Sequence, residues 1–405
     1  MTGAAGLRCA GDNSPSQFTA SIAAHADWSV DPRKRWVAVA RRCGGQWRLA
    51  PPCPVGDVAT FLRRLREEAA GGPVALGVDL PLGVPRAYAA QRPEPDFLHF
   101  LRHLRTVPDF FRVCADLAEL RPERPFYPFR GVAGMTRAAH AAALRLGSAD
   151  GLCRACDRAT AERPAGAPLF WTLGANQSGK AAIAAWRDML LPALAASQPI
   201  KLWPFAGPFC SLLAPRVVAL AETYPAEALR HLGIRLKGSK RRQSDRAAVA
   251  AGLRDAMLRL DVTADPDLQI AVTDGFGRDA AGEDRFDCVL GVLCVLNVLA
   301  ARRPDTAPDD PWIRHWEGWV LGQTALPTVP LPPPADALAR EGTIYPAAIP
   351  APPAWPLPAS PPQITNKADG LAAKAYASKP AALPPKRTLS RPGRLLRHQD
   401  RPRLP

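Results

Sequence analysis

Residues 73 to 83, PVALGVDLPLG, form a continuous apolar run behind a Gly-Gly pair. Neighbouring residues of a strand point to opposite faces, so a strand that is apolar at successive positions must be covered on both. That requirement selects an α/β architecture, with helices on both sides of a sheet. Upstream, FTASIAAHADWS (18 to 29), RWVAVARRC (35 to 43) and QWRLAPP (46 to 52) read as strands separated by turn-like DPRK and GG, a three-stranded antiparallel meander. VGDVATFLRRLREEAA (55 to 70) sets Val58, Phe61, Leu62 and Leu65 on one helical face. Downstream, RVVALAETYP (216 to 225) is a further strand. A short helix to about Leu232, a basic KGSKRRQ loop, a helix from Asp245 to about Leu260 and a long helix over 283 to 301 follow. Residues 86 to 215 carry helical patches around 97 to 120, 135 to 147 and 180 to 197, broken by PERPFYPF and WPFAGPF, and read as an insertion covering one side. The expectation is a mixed sheet flanked by helices, in the order βββ-α-β-insertion-β-α-α.

With 405 residues, 47% of them apolar, the chain has ample material for a packed core. After Leu326 the composition changes to VPLPPPADALAR, IPAPPAWPLPASPPQ and a basic run from Lys367 to Arg403, too poor in apolar surface to order itself. Residues 327 to 405 are therefore expected to be a disordered Pro-rich tail, and 1 to 17 a polar arm, leaving 18 to 326 as the folded domain. From Pro332 to Pro405 there are eleven Lys or Arg against four Asp or Glu, so the tail supplies seven of the net charge of +15. Such a charge favours polyanions, nucleic acid among them. The longest apolar run, CVLGVLCVLNVLAA (288 to 301), is shorter than the ~20 residues a bilayer needs and reads as a buried helix, so no membrane role is expected. Nine scattered cysteines and no charged-then-apolar leader point to a reducing cytoplasm.

Acidic residues stand where strands and helices end. Asp27 closes the first strand, Asp79 the apolar strand and Glu222 the strand after the insertion, while Asp284 and Asp287 lie three apart at the start of the long helix and share a face. In open α/β sheets ligands gather at the carboxyl ends of strands. Three to five carboxylates there are what Mg2+ or Mn2+ requires, and paired ions stabilise the attacking and leaving oxygens of a phosphoryl displacement. Taken one at a time, each acid has a plainer explanation, as a favourable charge at a helix N-terminus or a strand-end turn residue.

The strings HADWS, KRWVAVA, VALGVDLPLGVP, AETYPAEAL, KGSKRRQSDR, DRFDCVLGVLCVLNVLAA and WEGWVLG, in that order over residues 18 to 326, resemble the successive blocks of the domain-of-unknown-function 429 family, predicted ribonuclease H-like nucleases. The resemblance implies a ribonuclease H-like fold and a metal site made from Asp27, Asp79, Glu222, Asp284 and Asp287. Asp27, Asp79 and Asp287 would be the ligands, with Glu222 and Asp284 completing the site or orienting water. The chain departs from the family at Cys288, where a small Ala is common, and at DWSVD, which lacks a glycine-rich continuation.

For substrate phosphate the candidates are Lys240, Arg241 and Arg246 of the basic loop, and Lys180. A solvated charged loop is the bland reading of the first three. GANQSGK (174 to 180) has the spacing of a phosphate loop but is followed by Ala181, where such a loop needs Ser or Thr. Cys153 and Cys156 make a lone CxxC without a second ligand pair, and His25 shares the strand face of Asp27 but reads as a packed strand residue. The leading function is metal-dependent phosphodiester hydrolysis of nucleic acid. Two others stay open: a non-catalytic nucleic-acid-binding protein, and a phosphotransferase on the related fold.

Overall fold

The computed structural model describes residues 19–128, 135–173 and 178–329. Eight strands form one mixed sheet: β1 (Ile22–Asp27), β2 (Trp36–Cys43), β3 (Gln46–Leu49), β4 (Cys53–Pro54), β5 (Val74–Asp79), β6 (Ile200–Leu202), β7 (Val218–Glu222) and β8 (Val262–Ala264). The α-helices are α1 (Val58–Glu68), α2 (Arg86–Ala89), α3 (Phe97–His103), α4 (Arg137–Ala143), α5 (Ser178–Ala185), α6 (Leu191–Ala195), α7 (Pro225–His231), α8 (Gln243–Ala247), α9 (Ala250–Arg259), α10 (Pro266–Thr273) and α11 (Gly282–Leu299). Across the sheet the order is β6-β7-β5-β1-β2-β3-β8, with β4 on β2. The meander is antiparallel, β1 on β2 and β2 on β3, whereas β5 lies parallel to β1 and β7 parallel to β5. The apolar strand β5 thus sits between two neighbours, as its uninterrupted hydrophobicity requires.

Alternation sorts the two faces by side-chain size. Ile22, Ala24 and Ala26 of β1, Val74, Leu76 and Val78 of β5, and Val218 and Leu220 of β7 pack with Phe61, Leu62 and Leu65 of α1 and with the helices of the insertion. The opposite face offers Ala23, Ala38, Ala40, Ala75, Ala219 and Ala221, and these small residues let α11 lie close over β1, β2 and β5. Asp57 caps α1, accepting from the Ala59 amide. The helix α11 is apolar nearly all round because it is enclosed nearly all round. Among the described residues no helix is long and apolar enough to cross a membrane.

Close approach explains Gly291. A Cβ at this position would fall 2.1 Å from the ring of His25, itself fully buried on the α11 face. Gly291→Ala is expected to lose about 1–3 kcal/mol through overpacking, measured as a lower urea midpoint. An unchanged midpoint would mean that the ring moves aside freely.

Short elements depart from the expected order. β6 pairs with β7, so the sheet resumes at Ile200, inside the span expected to be insertion. β4 and β8, of two and three residues, are too short to show alternation in sequence. The helix expected from 245 to 260 divides into α8 and α9, and the patch at 97 to 120 continues beyond His103 only as single turns. Pro327 bridges Thr160, and the Thr328 amide donates to Ala159 O at 3.1 Å, which ties residues just beyond Leu326 to the body. The expected arm and nearly all of the expected tail lie outside the described residues.

Candidate functional site

Parallel register builds the core of the site. Asp27 and Asp79 end adjacent strands and are direct register partners, so both carboxylates leave the sheet on the same face, strands lying about 4.8 Å apart. That face is covered by α11, whose first turns bring Asp284 and Asp287 over the strand ends. The four carboxylates act on one another. Burial, followed by the like charges of Asp287, Asp79 and Asp284, holds Asp27 well above the usual carboxylate range. Burial and the charge of Asp287 push Asp79 up to about 7, and burial lifts Asp287 to about 6 although Lys240 works against it. Asp284 is raised too, chiefly by burial.

One ammonium offsets part of this repulsion: Lys240 Nζ donates to Asp287 Oδ2 at 2.5 Å. The lysine is held in place from behind by Arg246, which is buried and donates to the carbonyls of Lys240, Gly275 (2.8 Å) and Gly277 (2.6 Å). Arg246, expected to meet substrate phosphate, therefore spends its donors on fastening the loop. Arg241 is exposed, 3.9 Å from Glu283. Asp287 Oδ1 and Asp284 Oδ2 are buried without a hydrogen-bond partner. Among the described residues, no three His, Cys, Asp or Glu side chains already stand close enough to hold an ion.

Glu222 stands apart from this cluster. Its register partner is Val78, whose side chain faces α1, so alternation turns Glu222 away from the α11 face. It is fully buried, receives both arms of Arg154 at 2.6 and 2.7 Å, and accepts from the Leu82 amide at 2.7 Å. Asp157 binds the other edge of Arg154 at 2.9 Å, and the Tyr224 hydroxyl joins them. Burial alone would weaken the charge of Arg154, yet Asp157 and Glu222 hold its guanidinium well above the ordinary value. Sequence reading missed Arg154 because in SADGLCRACDR it is one charge among several, and its partner Glu222 lies 68 positions away.

A cleft of about 640 Å³ opens at Asp79 and Lys240, walled by Trp28, Lys34, Lys180 and Tyr224. Arg163 and Arg230 also line it, both paired with the buried Glu227. Lys34 and Lys180 form no close ion pair among the described residues, although the charge of Lys34 acts on Asp284 from a distance. The Trp28 indole N–H is buried and unpartnered. Of GANQSGK only Ser178, Gly179 and Lys180 are described, so the first four positions of that candidate phosphate loop, Gln177 included, lie outside the described residues.

Two further candidates resolve as packing. His25, against Gly291, is lowered to about 3 by burial and then by Lys240, so it stays neutral beneath the carboxylates. In the CxxC, burial pushes Cys153 up to about 12 and Cys156 well above the ordinary thiol value, which keeps both protonated. The chain matches no family model, no curated protein and no solved structure.

Proposed function

We propose that this chain is a metal-dependent phosphodiesterase acting on nucleic acid, built on a ribonuclease H-like sheet of the kind the domain-of-unknown-function 429 resemblance implies. The observation that carries the reading is the in-register pair Asp27 and Asp79 beneath Asp287, buried carboxyls that raise one another's affinity for protons and are only partly offset by Lys240. An antiparallel meander joined through its first strand to parallel strands supports the fold.

The donors fit a hard divalent cation. All are carboxylate oxygens, Asp287 Oδ1 is buried without a partner, and burial makes their negative charge costly until a cation compensates it. Asp27, Asp79 and Asp287 would hold Mg2+ or Mn2+, which polarises the phosphoryl oxygen and makes water a stronger nucleophile at neutral pH. Asp284, at the rim of the cluster, orients the attacking water. Lys240, which a bound cation would release from Asp287, and Lys180 across the cleft would hold a substrate phosphate. Glu222, bound by Arg154, supports the wall instead of contacting substrate.

Labelled single- and double-stranded DNA, RNA and hybrid are incubated with the full chain in Mg2+, Mn2+ or chelator. Cleavage that chelator stops is expected. Independently of activity, Mn2+ at about 100 times its Kd is expected to add about 2.7 kcal/mol of stability, seen as a higher Tm. Salt-sensitive binding with neither cleavage nor a Tm shift would instead mark a non-catalytic nucleic-acid-binding protein.

A further inference from the structure

A second hollow, of about 450 Å³, opens where α7, α9 and α11 end together. Its walls include Arg230, His231, Arg259, Asn297 and Arg302, and among the described residues no carboxylate lines it. Arg230 is paired with Glu227, whereas Arg259 and Arg302 form no ion pair among the described residues. Arg259 donates to Leu232 O at 2.8 Å and Arg302 to Arg259 O at 2.7 Å, bonds to backbone carbonyls that occupy one nitrogen of each guanidinium and leave its full charge. Helix C-termini contribute only partial negative charge, roughly half a unit each. The imidazole of His231, 2% exposed, has Nε2 3.7 Å from Glu227 Oε2, so it is turned toward that carboxylate and not into the hollow.

Arg230 belongs to the walls of both hollows. Its one acidic partner, Glu227, is shared with Arg163, so two guanidinium groups face one carboxylate and the partition between the hollows is itself positive. Cationic side chains thus line both hollows, Lys180, Lys240 and Arg163 the first and Arg259 and Arg302 the second, with Arg230 common to the two. Each hollow falls within the ~300–1,000 Å³ that accommodates a group of small-molecule size.

We infer that the Arg259 and Arg302 hollow is a second anion subsite, which holds the phosphodiester backbone of a single strand beyond the bond placed at Asp79. The inference rests on the proposed nucleic-acid function and makes the substrate a single-stranded polyanion longer than a dinucleotide.

The test uses the full chain carrying Asp79→Asn, without divalent ions, and fluorescence anisotropy with a single-stranded decamer, a dinucleotide and a decamer duplex over a salt series. Adding Arg259→Gln and Arg302→Gln is expected to weaken decamer binding about tenfold at low salt and to reduce the slope of log K against log salt by about 1.4, two contacts at about 0.7 each. Dinucleotide affinity is expected to stay unchanged, and the two Lys replacements at these positions to keep the slope. Both arginines are exposed, and Arg302→Gln alone, with half the change in slope, serves if the pair disturbs folding. An unchanged decamer slope, an equal loss for the dinucleotide or tighter binding of the duplex overturns the subsite. Chelator-sensitive cleavage by the unaltered chain is read separately: if it persists while the subsite test fails, only this inference falls. If cleavage and Mn2+ stabilisation are both absent, the nuclease reading falls with it.

Discussion

Asp79→Asn is expected to lower divalent-dependent cleavage on the order of a thousandfold, about 4 kcal/mol of transition-state stabilisation, while raising the Tm of the metal-free protein. The two effects have one cause. Asp79 is buried among like charges and its carboxyl sits at about 7 in the fold, against 3.8 as the ordinary value. Between these values the folded state binds more protons than the unfolded chain, so stability is greatest at the acid end and declines as pH rises from about 4 to about 7. Asp287, at about 6, adds to the same slope. An amide carries no charge to desolvate, so the Asn variant loses the share of this decline that Asp79 contributes, keeps the share of Asp287, and has lost a cation ligand. Melting curves from pH 4 to 8, with chelator and with Mn2+, check the prediction. Mn2+ should flatten the decline in the unaltered chain and do little to the variant. A variant that melts lower than the parent at pH 7 and cleaves normally would remove Asp79 from the site.

Arg154→Leu is expected to cost about 3–5 kcal/mol, because it leaves Glu222 and Asp157 buried without their cation. At about 1.5 °C per kcal/mol in a domain of this size, Tm falls by roughly 5–8 °C. Glu222 remains raised by burial even with Arg154 bound, so the pair adds less net stability than its geometry suggests. Arg154→Leu with Glu222→Leu should therefore recover part of the loss, and urea denaturation of both singles and the double gives the coupling energy. A single-variant cost below about 1 kcal/mol would show that the network does not support the wall of the cleft.

These expectations trace back to different levels of the molecule. Local pattern determined the sheet: the unbroken hydrophobicity of 74–78 demanded coverage on both faces, and the runs ending in Asp27 and Asp79 placed two acids at strand ends. The three-residue spacing of Asp284 and Asp287 likewise put both on one helical face. Periodicity is a property of neighbouring residues, so it is legible in a chain alone. What it did not contain was register. A shift of one residue turns a side chain to the other face, and the pairing of Glu222 with Val78 rather than with Asp79 sends it to Arg154, away from the other acids. In the same way Arg246 and Lys240 belong to one basic loop in the sequence, yet the first is consumed by three carbonyls and the second reaches the carboxylates. Arg230 joins two hollows only because three helices end together. The sequence by itself determined which residues carry charge and the elements on which they sit. Tertiary structure alone decided which of those charges are spent on one another and which face open space, because that depends on contacts between residues tens to hundreds of positions apart.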